Sequence, residues 1–311
     1  MNPVDKYLKY LSSVRRYSPR TVQIYSDILK RYLVHCGVAP EDVLKVLSIG
    51  DIRDYQVYLT HDSSLGARTA SQHLSVLSGF CSFLVKDGLL ESNPARLVKR
   101  PKVEKRLPVF YREKSIQEYF DKTNWKTEDI NIKYKERLSR MVVSLLFATG
   151  MRRSELISLR IGSVDFARNV IHVRGKGNKM REIPMISSLS EELLLYLQST
   201  ETLLGRSRTA AEPLLVSEKG KELYPMAVER IVKAELGEID SIAGRKSPHL
   251  LRHTLATELL EKGSDLNAIK ELLGHSSLAA TQVYTHNSIG KLKTVYNNAH
   301  PRAKKGGNNG D

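Results

Sequence analysis

At 311 residues and 35.1 kDa the chain is long enough for about two domains with separate cores, which excludes a small disulfide-stapled scaffold. Its 49 Lys and Arg outweigh 34 Asp and Glu, a net charge of +15 that points to a polyanionic partner, above all nucleic acid. Cys36 and Cys81 stand far apart without a C-x-x-C motif, no apolar leader opens the chain, and no run of about 18 uncharged apolar residues occurs, so a cytoplasmic, non-membrane protein is expected.

In chain order, residues 1–92 read as four helices. Asn2-Pro3 precedes Val4, Tyr7, Leu8 and Leu11, and Ser18-Pro19 precedes Val22, Tyr25, Ile28, Leu29 and Leu33. In both places a capping side chain and a proline stand before apolar residues at helical spacing. A third segment carries Ile52, Tyr55, Tyr58 and Leu59. The fourth, from about Thr69, carries Leu74, Leu77, Phe80, Cys81 and Leu84 and stops at Gly88, the residue for a left-handed cap. Residues 93–108 hold three prolines and six Lys/Arg, a composition expected to form a linker without a packed core. Through Lys105 there are 16 basic and 10 acidic residues, leaving 33 and 24 beyond it. Both halves are basic, which suits a two-domain clamp on DNA.

The region 109–302 mixes classes. A long amphipathic helix is expected from Lys133 to Gly150 and a shorter one from an N-cap at Ser154. The string NVIHVRGKGNKMREIPM reads as a hairpin, with strands at Val170 to Arg174 and Glu182 to Met185 around a Gly-Lys-Gly-Asn turn. Leu214 to Val216 is a candidate short strand. Helices return after Ser247-Pro248, with Gly263 and Gly274 as punctuation, and residues 303–311 read as a flexible tail. The expected class is therefore mainly α with a small β-sheet.

Phosphate-loop and nucleophile-elbow signatures are absent, as is any Cys/His cluster at zinc spacing. His249 and His253, four apart, lack the glutamate of an H-E-x-x-H site and flank the cation Arg252, so no metal and no cofactor are expected. Three strings stand out instead: ATGMRRSEL, HLLRHTLAT and LLGHSSLAATQVYTH. Together they resemble the tyrosine recombinase (phage integrase) family, whose catalytic domains carry Arg, Lys, His-x-x-Arg, His and Tyr in that order. The resemblance spans nearly the whole chain. It implies an N-terminal SAM-like core-binding domain, a C-terminal catalytic domain, and catalytic roles for Arg152, Lys176, His249, Arg252, His275 and Tyr284. Glu155 is implied as an orienting neighbour. Arg153 and Lys179 are the rivals of Arg152 and Lys176.

The chemistry accounts for the set. Cutting and resealing DNA without a metal needs a nucleophile that becomes esterified to phosphorus, and the resemblance implies Tyr284 for that role, through a 3′-phosphotyrosyl link. His249 is the implied base, Arg152 and Arg252 the forks for the non-bridging oxygens, His275 a further donor, and Lys176 the acid for the departing 5′-oxygen. The short length and the HPRA string at 300–303 resemble the Xer branch, which implies resolution of chromosome dimers, a homo- or hetero-tetramer on two double-stranded DNA sites, and control by the DNA translocase FtsK. A mobile-element integrase, a DNA invertase and a non-catalytic DNA-binding protein are the alternatives. A terminal helix in 288–299, with Ile289, Leu292 and Val295 on one stripe, is expected to dock on a neighbouring protomer.

Overall fold

The computed structural model describes residues 1–61, 65–102, 110–123, 133–175, 179–242 and 244–274, and the chain divides into two compact units, Met1–Leu107 and Pro108–Asp311. The first unit is built from α1 (Pro3–Ser13), α2 (Pro19–Cys36), α3 (Ile49–Thr60) and α4 (Ala67–Lys86). Each start has a local cause. Asn2 and Ser18 accept from the backbone N–H groups of Asp5 and Thr21, and Ser48 exchanges reciprocal bonds with Asp51 at the head of α3. The apolar stripes meet in one core that includes Tyr7, Leu29, Tyr32, Ile52, Tyr55, Leu77 and Phe80. The Tyr55 hydroxyl hydrogen-bonds the buried His73 Nδ1 at 2.8 Å.

The segment read as the start of a linker belongs to this core. Pro94–Arg96 forms a 3-10 turn, Ala95 and Val98 are buried, and the Asn93 amide donates to Ser78 O at 2.8 Å and Ser82 Oγ at 2.7 Å. Proline ends an α-helix but suits the first position of a tight turn, and the Asn93 side chain ties that turn to α4.

The second unit contains α5 (Glu113–Lys122), α6 (Tyr134–Thr149), α7 (Arg153–Ser158), β1 (Val164–Asp165), β2 (Val170–Arg174), β3 (Met180–Pro184), α8 (Ser187–Leu204), α9 (Pro225–Glu235), α10 (Pro248–Glu261) and α11 (Leu266–Leu273). The strands form an antiparallel sheet in the order β1-β2-β3, with Val170 opposite Pro184 and Arg174 opposite Met180. Expected as amphipathic, α6 is instead buried on every side from Arg137 to Thr149, because α7, α8, α9 and α10 all pack on it. Ser154 lies inside α7, whose capping position is Arg152. β3 begins at Met180 rather than Glu182. Leu214 to Val216 makes no strand: only isolated bridges form nearby, Arg160 with Pro213 and Val216 with Glu222. The sequence reading had no counterpart for α5, α8 and α9. Residues 275–311, including the expected terminal helix and tail, lie outside the described residues. No helix among the described residues is long and apolar enough to cross a membrane.

Candidate active site

The site starts where α6 ends. Gly150 takes a φ of +59°, and a Cβ there would meet Leu273 Cδ2 at 2.6 Å and Leu255 Cδ2 at 3.0 Å, so glycine permits both the left-handed cap and the approach of α10 and α11. The chain then enters α7 at Arg152, whose backbone N–H donates to Glu155 Oε2 at 2.8 Å. The Arg152 guanidinium donates through Nη1 to Glu155 Oε1 at 2.8 Å and through Nη2 to Gly274 O at 3.0 Å. Its neighbour Arg153 turns elsewhere and pairs with Glu229 on α9.

Glu155 is 4 % exposed and holds a second arginine. Arg181 on β3 grips both carboxylate oxygens, at 3.1 and 2.8 Å, while its Nε donates to Leu272 O at 3.0 Å. Burial by itself would raise the Glu155 pKa, but the bonds from Arg181 and Arg152 hold the carboxyl below its ordinary value. Gly274 closes the ring with a φ of +66°; a Cβ there would lie 3.1–3.3 Å from the Arg181 guanidinium and side chain.

Arg252, on the inner face of α10, is also buried and donates through Nη1 to Gly150 O at 2.6 Å and through Nη2 to Leu273 O at 2.7 Å. Desolvation, then the nearby Arg152, lowers its pKa to about 10, which still leaves it cationic at neutral pH. Two guanidiniums thus bind the adjacent carbonyls of Leu273 and Gly274 at the end of α11. Three arginines surround one carboxylate, an excess of positive charge that suits a phosphate diester.

Comparisons with known proteins identify the family. Residues 123–290 match the model of the phage integrase family, and residues 4–88 that of the phage integrase N-terminal SAM-like domain. The chain is 36 % identical over 307 residues to the tyrosine recombinase XerC of Bacillus pumilus, covering 97 % of each. The chain belongs to the phage integrase family of tyrosine recombinases. Its fold is that of the Tn1549 transposon integrase solved with transposon right-end DNA, with a TM-score of 0.68 at 19 % identity over 94 % of this chain and 99 % of that one. A lambda integrase tetramer bound to a Holliday junction gives 0.61 at 18 % identity, over 91 % and 80 %.

As a tyrosine recombinase the protein is a DNA strand-exchange enzyme. Of its expected site residues, the structure brings Arg152, Glu155 and Arg252 together, with His249 three residues before Arg252 on α10. His249 is exposed, and desolvation of its ring, then His253 and the cations Arg252, Arg245 and Arg152, lowers its pKa. The shift favours the neutral imidazole, the form that can accept a proton. Lys176, His275 and Tyr284 lie outside the described residues. The described ends beside them are placed: Gly175 N–H donates to Lys179 O at 2.8 Å, and Gly274 precedes His275. Lys179 itself is exposed.

Arg181 was missed in the sequence. The signal was present, since strand alternation puts it on the same face as the buried Ile183. A cation on an apolar face requires a buried carboxylate partner, and Glu155 is that partner.

Proposed function

We propose that this recombinase cuts and rejoins double-stranded DNA through a 3′-phosphotyrosyl link at Tyr284. The observation that carries the reading is the seating of Arg152 and Arg252 on adjacent carbonyls at the end of α11, one residue before His275. Arg152, which is 37 % exposed, spends two of its five guanidinium donors on Glu155 and Gly274. The others are directed, in this reading, to the non-bridging oxygens of the scissile phosphate as charge builds up in the transition state. Arg252 shares that task from below. His249 takes the phenolic proton of Tyr284, His275 adds a hydrogen bond, and Lys176 gives a proton to the departing 5′-oxygen. Glu155 orients Arg152, as Arg181 does through Glu155. Phosphoryl transfer of this kind runs on side chains, with no metal or cofactor.

The near full-length likeness to a tyrosine recombinase XerC supports the Xer-type role: resolution of chromosome dimers in the cytoplasm by a homo- or hetero-tetramer on two DNA sites, under control of a DNA translocase such as FtsK. A tetrameric lambda integrase of similar fold supports the assembly. The unit Met1–Leu107 serves as the core-binding domain and the unit that begins at Pro108 as the catalytic domain. The test is covalent capture on genomic DNA in excess EDTA, followed by sequencing of the attached ends. Wild type should yield ends clustered at one inverted repeat near the replication terminus, with the adduct mapped to Tyr284 and none with Tyr284→Phe. An adduct on another residue would overturn the mechanism. Ends at mobile-element junctions would instead assign an integrase, and at an invertible segment an invertase.

A further inference from the structure

His249 and His253 sit four apart on the exposed side of α10, with their Nε2 atoms 3.0 Å apart and the ring centroids 4.4 Å apart. Two imidazole nitrogens at that separation repel unless an electrophile lies between them. A proton on one ring supplies it. A metal ion supplies it as well: at metal–nitrogen distances of about 2.0–2.1 Å, two cis ligands stand roughly 2.9–3.4 Å apart. The observed spacing falls within that bite. The sequence arguments against a metal were the missing glutamate and the cation Arg252 between the two histidines, and both weigh against a resident ion rather than a loosely held one. The Arg252 guanidinium is buried and committed to Gly150 O and Leu273 O, while both imidazoles are exposed, so its charge acts on the pair without occupying the space at their Nε2 atoms.

We propose that His249 and His253 form a two-imidazole site for a borderline divalent transition metal, Zn²⁺ or Ni²⁺, whose binding shuts off strand cleavage. The second half rests on His249 acting as base, because a metal on Nε2 occupies the lone pair that would take the proton. With two protein ligands and the cations Arg152, Arg245 and Arg252 around them, the ion is exchangeable rather than resident. It acts as an inhibitor and leaves EDTA-treated enzyme fully active. Mg²⁺, which prefers oxygen ligands, has no effect.

The test uses the full chain with ZnCl₂ as probe, in two readouts. Calorimetry should show one Zn²⁺ site in wild type and in Cys36→Ser, lost in His253→Gln. In single-turnover cleavage of a nicked duplex, saturating Zn²⁺ should slow wild type about tenfold or more with recovery in EDTA, and slow His253→Gln less than about twofold, because one imidazole alone holds the ion weakly. Zn²⁺ binding that persists in His253→Gln, or its absence in wild type, overturns the site. Binding without inhibition overturns the inhibitory half and, with it, the role of His249 as base. If His253→Gln does not fold, ring Cε1–Hε1 resonances of the wild type decide: both histidines must shift together on adding Zn²⁺, and a shift of neither contradicts the proposal.

Discussion

The two units bury different things. Among the described residues of the first, the core is apolar and aromatic, and His73 is the one buried polar side chain. In the second, Arg137, Arg140, Glu155, Arg181, Arg252 and Glu258 are all buried. Burying charge costs several kcal/mol per ion, and a buried ion pair seldom improves on a hydrophobic replacement. A unit whose purpose was stability alone would be built like the first. On the function proposed above, the second accepts the cost at Glu155, Arg181 and Arg252 because a desolvated guanidinium with fixed partners can act on phosphate charge without reorganising as the reaction proceeds.

Two substitutions sharpen that contrast at its largest. Phe80→Ala in the first unit and Glu155→Ala in the second should each cost about 3–5 kcal/mol, one from a cavity and the other from leaving the Arg181 charge buried without its carboxylate. Urea unfolding measures both. Under conditions where both variants remain folded, only Glu155→Ala should lose cleavage while duplex binding persists. Equal loss of cleavage in the two would mean that the buried charges serve the fold alone.

Glu258 is the exception that tests the rule, since neither carboxylate oxygen has a hydrogen-bond partner among the described residues. Desolvation, then Glu113, raises its pKa to about 8. The group is neutral in the fold at pH 7 and ionised when unfolded, so the stability it contributes is complete below pH ~4.5 and is lost as pH rises from there to about 8. Glu258→Gln should flatten that fall, leaving the variant more stable than wild type by roughly 2–4 kcal/mol at pH 8 relative to their difference at pH 4.5. Parallel pH profiles of the unfolding midpoint would contradict the assignment.

A smaller effect is expected in the aromatic core. Tyr55→Phe removes the partner of His73 Nδ1 and should cost roughly 1–2 kcal/mol, with cleavage unchanged in the folded protein. A loss of cleavage at this position would blur the distinction between the units.

The same contrast decides what could be read from the sequence. Periodicity and caps located α1 to α4 because that unit is held by apolar stripes, which the 3.6-residue repeat reports directly. The linker reading failed at Asn93 to Val98 because the packing of Ala95 and Val98 rests on tertiary contacts, the Asn93 amide on α4 among them, that no local pattern encodes. In the second unit α6 has apolar residues on every face, so its stripe says nothing about which side is inward. Arg152, Glu155, His249 and Arg252 were found through motifs rather than periodicity. Arg181 escaped because its role depends on Glu155, twenty-six positions away in sequence.

The most direct test of the central claim, that the arginines of the second unit act on the charge of the scissile phosphate, is single-turnover cleavage by Arg152→Ala. It compares a nicked duplex carrying an ordinary phosphate with one carrying a neutral methylphosphonate at the cleavage point. Arg152 is partly exposed and Glu155 keeps Arg181, so the variant should fold. The account predicts a deficit of about 100-fold or more against wild type on phosphate that shrinks to within about tenfold on methylphosphonate, where a non-bridging oxygen and its charge are gone. An equal deficit on both substrates would contradict it.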